Sequence, residues 1–259
     1  MPLRQREQIQ EVLREVTQNL TTDWHCHIRP GIDDGATTIE ESIEMARTLR
    51  AAGFTTICCT PHLIKGYYER SAAETKSLIE QLQQQLTAAS IHVTLLAGAE
   101  YYLDEYLLKL LDDPLPLGDT QQLLIEIPGH AQPEYVKETC FRIKCSGYTP
   151  LIAHPERCSL LELKPSSPDK KTIWGSLFNS KLTTQHSTLL EYLQKIGCRF
   201  QGNLGSFSGL YGGRARDKAI GFMGSGLYDC FGSDAHTPER LKEMLGAGLQ
   251  SVKLLRAEN

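Results

Sequence analysis

Short apolar runs alternate with amphipathic stretches along most of the chain, and this alternation predicts repeated strand–helix units. The apolar runs predict strands at residues 22–26, 54–60, 92–98, 122–127, 149–153, 198–203 and 228–233. The stretches between them have apolar residues at helical spacing and predict helices at 38–52, 70–89, 101–111, 132–145, 187–196, 213–225 and 237–247. Because no linker rich in Pro, Gly or Ser divides the seven units, they favour one closed α/β barrel over two independent domains.

Three segments lie outside this alternation. Residues 2–20 carry apolar side chains at helical spacing, which predicts an N-terminal helical extension over 1–20 before a barrel domain over 21–259. Residues 162–186 are polar and irregular, so we expect a loop or lid at the rim of the barrel. The glycine-rich stretch 202–213 is expected to form a flexible loop.

The composition is that of an ordinary globular protein. Of the 259 residues, 41% are hydrophobic and 22% are charged, and the net charge is −4. This acidic balance repels phosphate backbones, so no nucleic-acid partner is expected. No run approaches the roughly 20 apolar residues that span a bilayer, and no signal-peptide pattern is present, so we expect a cytoplasmic protein that is not membrane-embedded. Eight cysteines are too few for a disulfide scaffold and predict reduced, mostly buried thiols.

Side chains that can bind metal ions follow six of the seven predicted strands. The loops after the strands of a parallel barrel converge on one face, so these side chains are expected to meet there. Only the sixth predicted strand, which ends near Asn203, offers no such residue. The candidate ligands are His25, His27, Asp34, His62, Glu100, Glu126, His154, Asp234 and His236.

The spacing of these residues indicates more than one ion. His25 and His27 are two residues apart on an extended segment, so both rings project from one side and can chelate a single ion. Asp234 and His236 repeat this spacing. Each pair alone is weak evidence, since many histidines only pack or cap. Imidazoles with carboxylates suit Zn²⁺, Mn²⁺ or Fe²⁺, and the carboxylates outnumber the needs of one tetrahedral ion, which implies two or three ions bridged by a residue such as Glu100.

Other routes to hydrolysis lack their sequence motifs. The chain has no Gly-x-Ser-x-Gly elbow and no phosphate-binding loop ending in Gly-Lys-Ser or Gly-Lys-Thr. None of the eight cysteines has an arginine six positions later, as cysteine-based phosphotyrosine hydrolysis requires. A serine or thiol nucleophile is therefore not expected.

The ordered motifs resemble those of a known superfamily. DWHCHIRPGIDDG, followed by TPH at 60–62, GAE at 98–100, AHPER at 153–157 and SDAH at 233–236, is similar to the polymerase and histidinol phosphatase (PHP) superfamily. The first motif and His-Pro-Glu-Arg more closely resemble the bacterial PHP-type protein tyrosine phosphatases of capsule and exopolysaccharide operons. The likeness runs from about Thr21 to Arg240.

This resemblance implies a distorted (β/α)₇ barrel with an extra N-terminal helix and a trinuclear site, occupied by manganese, with iron or zinc as alternatives. By matching motifs, it assigns the first ion to His25, His27, Glu100 and Asp234, the second to Glu100, Glu126 and His154, and the third to Asp34, His62 and His236. The resemblance also implies that Arg157 and Arg240 hold the substrate phosphate.

The activity implied by the resemblance is hydrolysis of phosphotyrosine, on the tail of a bacterial tyrosine autokinase. The loop Lys65–Tyr68 after His62 is expected either to form a wall of the substrate pocket or to pack its tyrosines on the helix behind. Three alternatives stay open: a phosphatase of a small metabolite such as histidinol phosphate, a PHP exonuclease, which would need a basic groove, and an inactive regulatory module. The N-terminal helix is a candidate surface for oligomer formation.

Overall fold

The computed structural model describes residues 20–163 and 187–245. Its strands are β1 (Thr22–Cys26), β2 (Thr56–Cys59), β3 (His62–Leu63), β4 (Thr94–Ala97), β5 (Glu100–Tyr102), β6 (Gln122–Glu126), β7 (Thr149–Ala153), β8 (Arg199–Asn203) and β9 (Cys230–Gly232). Its helices are α1 (Ile39–Ala52), α2 (Ala72–Ala88), α3 (Leu107–Leu110), α4 (Pro133–Cys145), α5 (Leu189–Lys195), α6 (Leu204–Phe207), α7 (Gly213–Gly224) and α8 (238–245).

The strands form two parallel sheets that follow one another around a curve. The first sheet has the order β1-β2-β4 and the second has the order β3-β5-β6-β7-β8-β9, and every named pair in them is parallel. The chain beyond β9 returns to β1, where Cys26 forms a parallel bridge with Ala235. The backbone N–H of His27 donates to the carbonyl of Ala235. The predicted α/β class is therefore correct, and the sheet curls so that its last strand approaches its first.

Two pairs of short strands, β2 with β3 and β4 with β5, pass from the first sheet to the second. The predicted strands 54–60 and 92–98 contain β2 and β4, whereas β3 and β5 lie just beyond their ends. Pro61 separates β2 from β3 because it has no N–H to donate to a ladder. Gly98 separates β4 from β5, where an added Cβ would lie 2.6 Å from a methyl group of Leu117. The structure therefore has nine strands among the described residues: each of the seven predicted ranges contains a strand, and β3 and β5 were not predicted.

The predicted helix at 101–111 is also wrong over most of its length. Residues up to Tyr102 continue the parallel pairing in β5, and only Leu107–Leu110 is helical. Leu103 and Leu107 are both buried in the same core cluster, which produced the helical spacing in the sequence. The stretch 202–213 is likewise not a plain loop, because it contains the short helix α6.

Three of the helices, α1, α2 and α5, begin at side-chain caps. Thr38, Ser71 and Thr188 each accept a hydrogen bond from the backbone N–H three residues later, and a glutamate at that position returns the bond. Helices α1 and α2 pack on β1 and β2 around one apolar cluster, while α4 and α5 contribute to a larger cluster against β5 to β8. This packing leaves the carboxyl ends of the strands free to carry polar groups.

Two of the predicted segments lie almost entirely outside the residues that the structure describes. The N-terminal extension at 1–20 and the loop or lid at 162–186 lie outside the described residues, apart from their edges at 20 and 162–163. All eight cysteines are described and free, and six of them are buried, as expected. Within 20–163 and 187–245, no helix has the length and apolar character needed to cross a bilayer.

Candidate metal centre

The two histidines at the end of β1 meet at one point. His25 lies in β1 and His27 follows it, and both side chains are buried. Their Nε2 atoms are 3.1 Å apart. The two rings therefore project into the same space, as their spacing predicts.

Two carboxylates reach this point from other strands. Oε2 of Glu100, at the start of β5, lies 3.2 Å from Nε2 of His25 and 3.3 Å from Nε2 of His27. Oδ1 of Asp234, just after β9, lies 3.3 Å from each of the same nitrogens. One ligand atom from each of the four residues lies within 4.8 Å of the others, which is close enough for a shared cation.

Two further groups of candidate ligands overlap with this one. They are His27, Asp34, His62 and His236, and His62, Glu100 and Glu126. His154 adjoins them, since its Nε2 is 3.2 Å from Oε1 of Glu100. The structure thus brings all nine predicted ligands together, with His27, His62 and Glu100 each shared between two groups.

Hydrogen bonds on the outer nitrogens hold three of the rings in one orientation. Nδ1 of His25 donates to the side-chain oxygen of Gln201 at 3.0 Å. Nδ1 of His27 donates to Asp33 at 2.7 Å, and Nδ1 of His236 donates to the carbonyl of Asp234 at 3.0 Å. Because these partners are acceptors, each Nδ1 carries a proton, so in the neutral imidazole, the form that binds a metal ion, each Nε2 presents its lone pair to the centre.

Two buried atoms at the centre lack hydrogen-bond partners. Oε2 of Glu100 and Nδ1 of His62 are buried, lie 3.1 Å apart and form no hydrogen bond. Buried polar atoms are rarely left unpaired, because desolvation without a partner is costly. Lone pairs and carboxylate oxygens that face one another are stabilised by a cation between them. The mixture of imidazole and carboxylate donors fits Zn²⁺, Mn²⁺ or Fe²⁺.

The electrostatics of the metal-free cluster favour bound protons. Burial opposes the charge on His25, but Glu100 and Asp234 outweigh it and raise the pKa of His25 to about 9. Burial likewise opposes ionisation of Glu100, yet the charge of His25 and a hydrogen bond with His154 hold its pKa well below the usual range. Ligands must lose such protons to bind a metal ion, so protons and cations compete for this site.

Two of the candidate ligands have unusual backbone conformations. His154, after β7, has φ of 31°, and Asp234, after β9, has φ of 53°. Non-glycine residues rarely adopt positive φ, and such strain tends to cluster at functional sites. The turns that direct these two side chains inward are thus conformationally costly.

The two predicted arginines flank one tyrosine ring at the edge of the centre. Arg157 pairs with Oδ2 of Asp234, and its guanidinium lies 4.4 Å from the ring centroid of Tyr211. The guanidinium of Arg240 lies 5.4 Å from the same ring, and Arg240 is also exposed. The side chain of Arg157 remains 30% exposed, so it is open to a ligand.

A cavity of about 240 Å³ joins Arg157 to the candidate ligands Glu126 and His154. The exposed His130 also lines this cavity.

The loop after His62 contributes one tyrosine to the centre. Tyr68 stacks on the ring of His62 with a centroid separation of 6.2 Å. Tyr67 is 84% exposed, so it does not pack on the helix behind. Of the two arrangements expected for this loop, packing of both tyrosines is therefore wrong.

Sequence reasoning missed the amides of β8 that support the centre. Gln201 bonds His25, as noted above, and Asn203 donates to Oδ2 of Asp234 at 3.0 Å; both side chains are fully buried. Their signal was available, because polar residues two apart on an apolar strand share one face. The sixth predicted strand therefore supplies positioning residues, although it supplies no candidate ligand.

Comparison with known proteins identifies the family. The family model for capsular polysaccharide synthesis proteins, CpsB/CapC, matches residues 21–175. The chain belongs to the CpsB/CapC family. It is 32% identical over 218 residues to the tyrosine-protein phosphatase YwqE of Bacillus subtilis strain 168, covering 83% of this chain and 76% of YwqE. It is 26% identical over 228 residues to the putative tyrosine-protein phosphatase CapC of Staphylococcus aureus, covering 86% and 81%.

Solved structures agree with this membership in the CpsB/CapC family. A structure from the pair described as YwqE from Bacillus subtilis and CpsB from Streptococcus pneumoniae, unique metal-dependent tyrosine phosphatases, superposes with a TM-score of 0.69. It is 29% identical and covers 91% of each chain. Histidinol phosphate phosphatase from Lactococcus lactis superposes with a TM-score of 0.50 at 13% identity, covering 91% of this chain and 94% of its own, which indicates a shared fold only.

Proposed function

We propose that this protein is a metal-dependent protein tyrosine phosphatase. The observation that carries the proposal is the unpaired Oε2 of Glu100, which faces ring nitrogens of His25, His27 and His62 at 3.1–3.3 Å. Such an atom needs a cation, and the family members YwqE and CpsB are described as metal-dependent tyrosine phosphatases. Arg157 beside this atom cluster supplies a partner for a phosphate.

Two or three divalent ions would be held by the nine candidate ligands, with manganese preferred and iron or zinc as alternatives. His25, His27, Glu100 and Asp234 form one set. Asp34, His62 and His236 form a second set with His27, and Glu126 and His154 complete a third around Glu100. Bound divalent ions supply an activated water at neutral pH and neutralise charge on the phosphoryl oxygens.

The chain's own residues then bind and orient the substrate. Arg157 has the planar fork that suits a phosphate, and its contact with Asp234 fixes the guanidinium at the edge of the ligand cluster. Arg240, on the other side of Tyr211, would supply a second cation. A tyrosyl leaving group with a pKa of about 10 needs less protonation than an alkoxide, so aryl phosphates should be good substrates.

The proposed substrate is a phosphotyrosine protein, in particular the tail of a bacterial tyrosine kinase of capsule or exopolysaccharide synthesis. Membership in the capsular polysaccharide synthesis family supports this context. The net charge of −4 disfavours a nucleic-acid substrate, and the eight unpaired cysteines are consistent with a cytoplasmic location. All nine candidate ligands are present and lie together, which disfavours an inactive regulatory module.

The finer features of the fold proposed from the sequence have partial support. The split strands β2/β3 and β4/β5 each count as one bent strand if the two sheets are arcs of a single distorted (β/α)₇ barrel. The Cys26–Ala235 bridge supports that closure. The helical extension at 1–20 and its use in oligomer formation stay predictions.

One assay tests the proposed function. The protein is stripped with a chelator, reloaded with Mn²⁺, and given a phosphotyrosine peptide, histidinol phosphate and single-stranded DNA. We expect hydrolysis of the peptide only with the ion present, and full activity in Cys145→Ser, which removes the single exposed cysteine among the eight. Hydrolysis of histidinol phosphate in preference to the peptide would establish the metabolite alternative, and no hydrolysis of the peptide would refute the proposal.

A further inference from the structure

A second cavity lies on the other side of Arg157 from the one that contains Glu126. It has a volume of about 360 Å³, and its lining includes Tyr211, Arg214 and Lys218 together with Arg157. We call this cavity the basic groove. Because Arg157 belongs to both cavities, a chain bound at the metal centre would continue directly into the basic groove.

The charge of the basic groove is opposite to that of the whole protein. Three cationic side chains line it, whereas the chain has a net charge of −4. The one acidic residue in the lining, Glu156, is buried and already accepts hydrogen bonds from the backbone N–H of Asn203 and the hydroxyl of Tyr228. The accessible surface of the groove therefore presents positive charge.

The cations of the basic groove differ in how firmly they are held. The ammonium of Lys218 donates to the carbonyl of Cys158 at 2.6 Å, and only 12% of its side chain is exposed. Because this hydrogen bond already fixes the ammonium in the groove, Lys218 loses little further conformational entropy when a ligand binds. Arg214 is 78% exposed and is free to turn toward a ligand.

The protein already places one carboxylate against these two cations. Oε1 of Glu162 lies 3.1 Å from the guanidinium of Arg214 and 3.6 Å from the ammonium of Lys218. Glu162 is 51% exposed, so this ion pair is weak and readily exchanged. The arrangement shows that one carboxylate can be shared by the two cations.

We propose that the basic groove binds acidic residues that flank the phosphotyrosine of the substrate, and so selects acidic phosphopeptides. This inference rests on the proposed phosphatase function. A phosphotyrosine at the metal centre would leave the neighbouring residues of its chain beside Tyr211 and Arg214, where carboxylates replace Glu162 as partners. Recognition of this kind affects the affinity for the peptide and leaves the chemistry at the phosphate unchanged.

The test compares two phosphotyrosine peptides that differ only in three flanking aspartates or asparagines on each side. With the Mn²⁺-loaded enzyme at low salt, we expect kcat/KM to be roughly tenfold higher for the acidic peptide, through KM, because two or three partly exposed ion pairs contribute that much. The preference should shrink as salt is added, since exposed charges are screened.

Three variants test whether the preference for the acidic peptide comes from the basic groove or from the overall charge of the protein. Arg214→Gln should reduce the preference for the acidic peptide several-fold, and Glu162→Gln should increase it by removing the internal competitor. Arg142→Gln is the control, because it changes the charge by the same amount as Arg214→Gln. Arg142 lies in the last turn of α4, near the start of β7, so this variant should prefer the acidic peptide as strongly as the wild type does.

The outcomes distinguish this inference from the proposed function. Equal kcat/KM values for the two peptides in the wild type, or an equal loss of preference in Arg142→Gln and Arg214→Gln, would overturn the basic groove as a subsite while the phosphatase function stands. Failure to hydrolyse either peptide would overturn both. A lower preference in Glu162→Gln would also contradict the inference, because the internal carboxylate would then be assisting the peptide.

Discussion

Gly232 packs against His25 so closely that replacing it with alanine tests whether the position of this histidine controls metal binding. A Cβ at residue 232 would lie 2.4 Å from Cβ and 2.7 Å from the backbone nitrogen of His25, whereas ordinary contacts begin at 3.4 Å. The strands must therefore separate by about 1 Å, the difference between 3.4 and 2.4 Å. The neighbouring atom is the Cβ of a buried histidine, which is bonded directly to the backbone, so it cannot swing away by a change of rotamer.

The displacement has a predictable size in function and in stability. Nε2 of His25 now lies 3.2 Å from Glu100 and 3.3 Å from Asp234, and a shift of 1 Å removes that geometry. A misplacement of this size costs about 100-fold in rate, and overpacking costs about 1–3 kcal/mol of stability. We expect Gly232→Ala to bind fewer ions per chain after chelation and reloading, as measured by elemental analysis, and to lose activity.

Gly213→Ala is the matched control for this experiment. It adds the same methyl group at a glycine with nothing within 4 Å of the new atom, at the start of α7. We expect full metal content and unchanged or slightly raised stability, because alanine favours helix. If Gly232→Ala folds with the wild-type number of ions and wild-type activity, the argument that this packing positions His25 is wrong.

Three further substitutions test the surroundings of the centre. Asp33→Asn weakens the hydrogen bond that orients His27, so metal affinity measured by chelator competition should fall about 10–100-fold; an unchanged affinity would contradict that role. Arg157→Ala should lower kcat for a phosphopeptide about 10²–10³-fold while elemental analysis finds the ions retained, and loss of the ions would show that the arginine instead supports Asp234. Burial raises the pKa of Asp23 from 3.8 to about 6, so the native state binds this proton more tightly than the unfolded chain does, and stability should fall by up to about 3 kcal/mol as pH rises through that window. Urea unfolding in chelator should show a flatter pH dependence for Asp23→Asn, and equal slopes for the two proteins would refute this assignment.

The sequence predicted the site best where the spacing of residues along a strand determines the direction of their side chains. Two residues of separation on a strand placed His25 and His27 together, and the rule that strand ends converge brought in Asp234 and His236. The strands β3 and β5 were not predicted, since each is only two or three residues long and forms through pairing with distant parts of the chain rather than through local spacing.

The helix expected at 101–111 failed for a related reason. Its apolar spacing comes from a turn that packs Leu103 and Leu107 into one core cluster, and local periodicity cannot distinguish that arrangement from a helix. Ligand chemistry alone does not single out Gln201 and Asn203, because their amides do not bind the ion. They form hydrogen bonds that hold the ligands His25 and Asp234 in place.

The bridge between Cys26 and Ala235 joins residues 209 positions apart, and it has a consequence for the timing of folding. His25 leaves the ribosome before most of the described strands, whereas Asp234 and His236 emerge only after all nine of them. A nascent chain therefore carries the histidines of β1 without the carboxylate that completes their set. Because synthesis proceeds at about 5–20 residues per second, roughly ten to forty seconds separate the synthesis of His25 from that of Asp234. Tight capture of a metal ion by this set thus marks a chain whose curled sheet has been made through to its last strand.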